Sequence, residues 1–423
     1  VSTDPLRHDW SVQARIETRW ETDIGVSLLE DAESRRQVYS VPLRTQNANL
    51  KCLDQQLTSR LAMTLYRRTT QKVVVPIYPD VTGVTSDSTG TVINCDTTNR
   101  RFFVGRKIVV IPFNGGTFGE ALVHEVVSFT ATTITITVAL TATVPARSFV
   151  FPAMEAHQEL EADLSLLTNF VGTYETRSTE THPALPESNG PTNPSGFPVH
   201  LGLPIFTFPH NWVSNYGMTY LRTGDLVPSG KDRLTAIGGG KGRWSLSFAM
   251  TFLKDRAGVF SLMKFFDSRR GRLLPFWAIA PMPVFEFLSL GSTFVDILGN
   301  FDFADTDCLA HIAVVLKNGD IEVRRITNKV QLGGFPPFPL FFRFLVTPAF
   351  PPVGNSDVDY VTLAIKGRFT EDVFEERWTT NQDCDVSLSV IELISEETVT
   401  PPFPTEIPYI PPEPFSACPL PAP

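Results

Sequence analysis

An internal repeat is the feature that most limits what this chain can fold into. One segment runs from Trp10 through RWETD (Arg19 to Asp23) to LTSRLAMTLYRRTTQKVVVPIYP (Leu57 to Pro79). The other runs from Trp212 through YLRTGD (Tyr220 to Asp225) to WSLSFAMTFLKDRAG (Trp244 to Gly258) and RRGRLLPFWAIAP (Arg269 to Pro281). Tryptophan and proline lie 66 residues apart in the first copy (Trp10 to Pro76) and 63 in the second (Trp212 to Pro275). Each copy ends in an apolar Pro-aromatic strand pattern, and a duplicated β-rich unit points to a part of a symmetric assembly more than to an active site.

A chain of 423 residues exceeds one ordinary core, so two or more domains are expected. With 42% hydrophobic and 19% charged residues, 32 Phe and 34 Pro, it reads as globular, rich in extended structure punctuated by proline. The net charge of −9 offers no general attraction for nucleic acid or an anionic membrane. Cys52, Cys95, Cys308, Cys384 and Cys418 form no C-x-x-C pair, so free thiols in a reducing cytoplasm are expected. VSTDPLRHDW lacks an apolar core and no stretch of about 18 apolar residues occurs, so neither a signal peptide nor a transmembrane helix is expected.

Along the chain the expected fold is mainly β with minor helix: two related β-sandwich domains, each carrying an inserted small β-barrel or sandwich. Residues 1–82 with 154–177 form the first domain and 83–153 its insert, where Thr133 to Val138 gives the cleanest alternation. Leu50 to Arg60 has room for a turn or two of helix, and Met154 to Arg177 reads as a strand pair, with helix over Met154 to Leu167 as the alternative. The polar, Pro/Gly/Asn/Ser-rich stretch 178–199 is expected to be an extended linker. Residues 200–283 with 355–398 form the second domain and 284–354 its insert, with a hairpin turn at Lys317-Asn318-Gly319-Asp320 whose two central residues tolerate positive φ. Residues 399–423 are dense enough in proline for an extended arm lying along a neighbour.

Chemistry is sparse. The seven histidines are scattered without H-E-x-x-H or helical spacing, so no metal or cofactor is expected. GGGKGRW (Gly238 to Trp244) lacks the spacing and the Ser or Thr of a phosphate loop, and no G-x-S-x-G elbow occurs. Asp302, Asp305 and Asp307, and Asn355, Asp357 and Asp359, fall short of an EF loop and read as turns. Glu375 with Glu376, and Glu159 with Glu161, look like ordinary solvated charge. No catalytic residue is expected. The basic-aromatic stretch FFDSRRGRLLPFW (Phe265 to Trp277) has a counterpart in Arg67, Arg68 and Lys72, which favours a shared subunit interface over a nucleic-acid site.

Three groups of residues resemble the tail-tip proteins of long-tailed bacteriophages, of distal-tail and baseplate-hub type. They are Phe265-Phe266 with Arg269-Arg270-Gly271-Arg272 and Pro275-Phe276-Trp277; the insert with Phe103-Val104-Gly105, Ile134 to Ile136 and Phe149 to Pro152; and Glu376 to Thr379 with Leu388 to Leu393. The resemblance implies tail-tube-like β-sandwich domains, each with a helix on one side, whose copies pair edge to edge around a channel that DNA traverses. It implies a non-enzymatic structural protein of the virion tail, assembled in the host cytoplasm. Its partners would be other tail proteins and its own copies, in a trimer or a hexamer. Interface positions expected on this basis are Arg67, Arg68, Lys72, Arg269, Arg270, Arg272, Trp277 and Trp378. A carbohydrate- or receptor-binding module and a cell-wall hydrolase are the competing readings.

Overall fold

The computed structural model describes residues 7–26, 33–39, 41–52, 72–115, 117–158, 163–166, 172–181, 196–208, 210–211, 216–221, 225–229, 232–237, 243–299, 310–333 and 340–393. Within these the protein is mainly β, with one α-helix and one large, almost wholly antiparallel sheet. No helix among the described residues is long and apolar enough to cross a membrane.

The sheet is built from two groups of strands. The first contains β1 (Ala14–Arg19), β2 (Leu43–Cys52), β3 (Val73–Pro76), β7 (Phe149–Gln158), β8 (Asp163–Leu166) and β9 (Gly172–Glu180). Between β3 and β7 lie β4 (Lys107–Ile111), β5 (Leu122–Phe129) and β6 (Thr133–Ile136). The second group contains β10 (Gly217–Leu221), β11 (Arg243–Phe252), α1 (Arg256–Arg269), β12 (Phe276–Ile279), β18 (Val358–Phe369), β19 (Val373–Trp378) and β20 (Cys384–Glu392). Between β12 and β18 lie β13 (Glu286–Gly291), β14 (Phe294–Gly299), β15 (His311–Leu316), β16 (Ile321–Gly333) and β17 (Leu340–Thr347).

Every pairing of the first group recurs in the second. In the first, β1 and β9 flank β2, β8 and β7 flank the far side of β9, and β3 pairs with β7. In the second, β10 and β20 flank β11, β19 and β18 flank the far side of β20, and β12 pairs with β18. Matching residues are displaced by 200 to 203 positions before the inserted segments and by 211 or 212 after them: Arg15 opposite Asn47 becomes Gly217 opposite Ser247, and Leu164 opposite Tyr174 becomes Glu376 opposite Val386. Each inserted segment hangs from the strand that re-enters its group. Phe149 to Ala153 of β7 pairs with β4, and Val358 to Leu363 of β18 pairs with β15.

These registers correct the alignment read from the sequence. Ala62 and Ala249 sit in the shared AMT motif 187 residues apart, whereas the strands place β2, not Leu57 to Arg68, opposite β11 in the repeat. Pro76 corresponds to Ile279 rather than to Pro275. A three-residue match was outweighed by backbone pairing, which is what a repeat of fold rather than of composition preserves.

Alternation explains the layers. In β1, β19, β20 and β11 every second residue is buried: Ala14 and Ile16; Phe374, Glu376 and Trp378; Val386, Leu388 and Val390; Leu246, Phe248 and Met250. The helix packs on this face with Val259, Leu262, Met263, Phe265 and Phe266, each worth about 1.5–3 kcal/mol of burial. It starts where Asp255 accepts a hydrogen bond from the Gly258 N–H at 2.9 Å, and it stops at Arg270 and Gly271, which take positive φ. Each inserted segment has its own core: Ile93, Phe102, Ile108, Val126 and Ile134 in the first, and Val295, Ile297, Val314, Phe344 and Val361 in the second.

Several expectations change. Gly172–Glu180 is a strand, so the linker cannot begin at residue 178; residues 182–195 of it lie outside the described residues, as does the arm 399–423. The strand-pair reading of the segment after the insert holds, with Met154 to Gln158 and Asp163 to Leu166 both strands, while Leu50 to Cys52 ends β2 and residues 53–60 lie outside the described residues. In the Lys317 to Asp320 turn only Gly319 has positive φ (90°), its N–H reaching Leu316 O at 2.8 Å. Asp302, Asp305 and Asp307 lie outside the described residues, while Asp357 closes a turn by accepting from Gly354 N and Asn355 accepts from Leu290 N of β13.

Candidate functional site

The two groups meet edge to edge through β1 and β19, antiparallel over six residue pairs from Ala14 opposite Trp378 to Arg19 opposite Val373. The result is one continuous sheet in the order β3-β7-β9-β2-β1-β19-β20-β11-β10, with β8 beside β9. Beneath this junction lies a buried ion network that joins the chain's two halves.

At its centre Arg101, from the first inserted segment, pairs with Asp80 at 3.1 Å and with Glu376 of β19. Glu376 also accepts from the Trp378 indole at 2.8 Å, and Arg256 at the start of α1 pairs with Asp80 and lies 4.8 Å over the Trp378 ring. Burial alone would raise the Asp80 carboxyl, but Arg101 and Arg256 hold it below the usual carboxylate range. Asp372 forms a second tie, accepting from Thr22 N at 2.8 Å, Arg272 N at 2.8 Å and Arg272 Nε at 3.1 Å. Glu33 forms a third, with Arg368 and with Arg243 at 3.4 Å.

The expected interface residues fall into this frame. Arg67 and Arg68 lie outside the described residues, and Lys72 is exposed just before β3. Arg269 is 1% exposed, donating to Pro275 O at 3.2 Å, and burial pushes its guanidinium down to about 10. Arg270 donates to Gln37 at 2.7 Å and Arg272 donates to Thr22 O at 2.9 Å as well as to Asp372, so both tie the end of α1 to the chain's first half. Trp277 donates to His200 O at 2.9 Å, and Trp378 is 1% exposed. Arg269, Trp277 and Trp378 are all buried within the one chain. Their neighbours come from segments up to a few hundred residues away, which spacing in the sequence cannot reveal.

The opposite face of the sheet is largely polar from β9 to β11. It presents Thr173, Glu175 and Arg177 of β9; Asn47, Asn49 and Lys51 of β2; Arg15, Glu17 and Arg19 of β1; Glu375 and Arg377 of β19; Asp385, Ser387 and Ser389 of β20; and Ser245, Ser247 and Thr251 of β11. Four of its basic side chains, Arg15, Lys51, Arg177 and Arg377, are paired with carboxylates. Glu375 pairs with Arg377 at 2.8 Å and with Arg15 at 3.8 Å, Glu17 pairs with Arg177 at 3.6 Å, and Asp385 accepts from Thr251 at 2.7 Å. Sequence alternation contained this face strand by strand, but not its continuity across both halves of the chain.

Both ends of the sheet carry a strand bonded on one side. Among the described residues β10 pairs only with β11, and β8 pairs only with β9. An edge unpaired among the described residues is a template for another strand. No group of three or more metal-ligating side chains occurs among the described residues. No protein-family model matches this chain, and no curated protein matches it significantly.

Proposed function

We propose that this chain is a structural protein of a bacteriophage tail tip, of distal-tail or baseplate-hub type. Its two strand groups act as related tube-like domains, and its copies close into a ring that joins the tail tube to the host-recognition apparatus. The observation that carries this reading is the continuous sheet, with a helix-packed apolar face, a polar face of matched charge and a one-sided strand at each end. Such a sheet is suited to ring closure by strand addition. Its polar face suits the wall of a channel for DNA, because four of its five basic side chains are already paired with carboxylates and offer little counterion release to a passing phosphate backbone. The ring holds three copies if both groups serve as equivalent positions in a six-fold wall, and six if one group does.

Mass photometry and negative-stain microscopy of the purified full chain, with antibody labelling of virions, test the reading. Rings and label at the tail tip are expected. A monomer in all conditions together with virions that bind no antibody would reject it.

A further inference from the structure

The chain contains a finished example of a contact that its two ends do not make among the described residues. At β1 and β19, a first strand of one group lies against the penultimate strand of the other. By the registers of the repeat, β10 is the equivalent of β1, displaced by 202 residues, and β8 is the equivalent of β19, displaced by 212. The two one-sided strands are therefore the two partners of a β1–β19 contact, placed at opposite ends of the same molecule.

We propose that β10 of one copy pairs antiparallel with β8 of the next, opposing Thr219 to Asp163, Met218 to Leu164, Gly217 to Ser165 and Tyr216 to Leu166. This register is the transfer of Glu17 opposite Glu375, Ile16 opposite Glu376, Arg15 opposite Arg377 and Ala14 opposite Trp378. The alternation of both edges agrees with the template. Ala14 and Ile16 are buried while Arg15 and Glu17 lie on the polar face, and their equivalents Tyr216 and Met218 pack against the cores while Thr219 is exposed. On β8 the sequence alternates Asp163 and Ser165 with Leu164 and Leu166 in the same phase. A one-residue slip on either strand would put apolar positions opposite polar ones, so the register is specified. The contact is heterologous: each copy offers a different edge at either end, which propagates head to tail and closes only as a ring.

The inference rests on the assembly reading for closure and on the repeated registers for the pair of strands. It is tested with full-length chains carrying Thr219→Cys or Asp163→Cys, oxidised with glutathione disulfide. An equimolar mixture of the two variants is expected to give a covalent dimer whose disulfide maps to positions 219 and 163, at a yield at least tenfold above either variant alone. The double variant is expected to give a covalent ladder ending at the ring. Multimers seen by mass photometry without this disulfide would overturn the strand assignment and leave the ring reading standing; a chain that remains monomeric and uncrosslinked would overturn the strand pairing, and with virions that bind no antibody it would overturn the ring reading as well. Should the cysteine variants fail to fold, hydrogen exchange on the wild-type multimer decides: slowed exchange at 163–166 and 216–221 is expected, and unslowed exchange at either strand overturns the inference.

Discussion

The guanidinium of Arg101 meets the carboxylate of Glu376 across 275 residues of sequence, in a part of the interior where both side chains are almost fully buried. It fastens the first inserted segment to the strand that joins the two groups.

Arg101→Ala should therefore cost far more than a surface ion pair. It leaves Asp80 with Arg256 alone and Glu376 with the Trp378 indole alone, and breaking a buried pair from one side costs about 3–5 kcal/mol. Urea unfolding should show this loss as a lower midpoint. A double variant Arg101→Met with Glu376→Gln should recover part of it, since the orphaned charge is then gone; a double variant no better than the single one would count against the assignment.

Acid should loosen the contact between the second group and its inserted segment. His200 and His311 are both buried, their rings 5.5 Å apart and each against Trp277. Burial, then Arg324, pushes His200 down to about 4; burial, then His200, Arg325 and Lys366, pushes His311 down to about 4. The folded-state values lie below the ordinary 6.5, so the unfolded chain takes up protons first. Stability from these groups is full above pH 6.5 and falls as the pH drops towards 4, by at most about 1.4 kcal/mol per histidine per pH unit. Chemical denaturation from pH 7 to 4 checks the slope, which His200→Gln with His311→Gln should flatten.

Removing one carboxylate from the polar face should change adhesion and leave the fold alone. Glu375 is half-buried and holds Arg15 and Arg377, so Glu375→Gln should cost no more than about 1 kcal/mol. It frees two guanidinium groups, and binding to double-stranded DNA should rise and weaken with added salt with a log–log slope steeper by about 1–2 than that of the wild type. Filter binding at 50 and 200 mM salt reads this. An unchanged slope would show that the charge matching does not govern adhesion.

Gly271→Ala should uncouple α1 from the first group. Gly271 has φ of +61°, and a Cβ there would come within 2.5 Å of Asp372 Oδ1, the acceptor that holds Thr22 and Arg272. Strain at a positive φ and the displaced acceptor together should cost about 2–4 kcal/mol, read as a lower thermal midpoint. Gly90→Ala, also at positive φ but with open space around its Cβ position, isolates the backbone share of that cost.

What the sequence disclosed follows from the range of the interactions. Thr133 to Ile136 announced a strand because alternation is local, and Asn318-Gly319 announced a turn for the same reason. The helix had a signal that went unread: Asp255 three residues before Gly258, then Val259, Leu262, Met263, Phe265 and Phe266 at helical spacing. Arg269 resembled its neighbours Arg270 and Arg272 in sequence, yet only Arg269 is enclosed, because position 269 falls on the inner face of α1 and the other two follow its end. The β1–β19 contact pairs residues about 360 apart, and nothing in Ala14 to Arg19 names Val373 to Trp378 as a partner. The repeat was visible from its tryptophans, but its true register emerged only from strand pairing.

The β1–β19 contact has a consequence for concentration and for inheritance. It forms within one polypeptide, so dilution cannot separate its two sides, and it is exempt from mass action in a way that a contact between copies is not. It is also encoded by stretches of the gene distinct from those that encode β8 and β10. A seam made of separate codons, with its buried Glu376 and Arg101, can accumulate its own substitutions without obliging the outer edges to change with it.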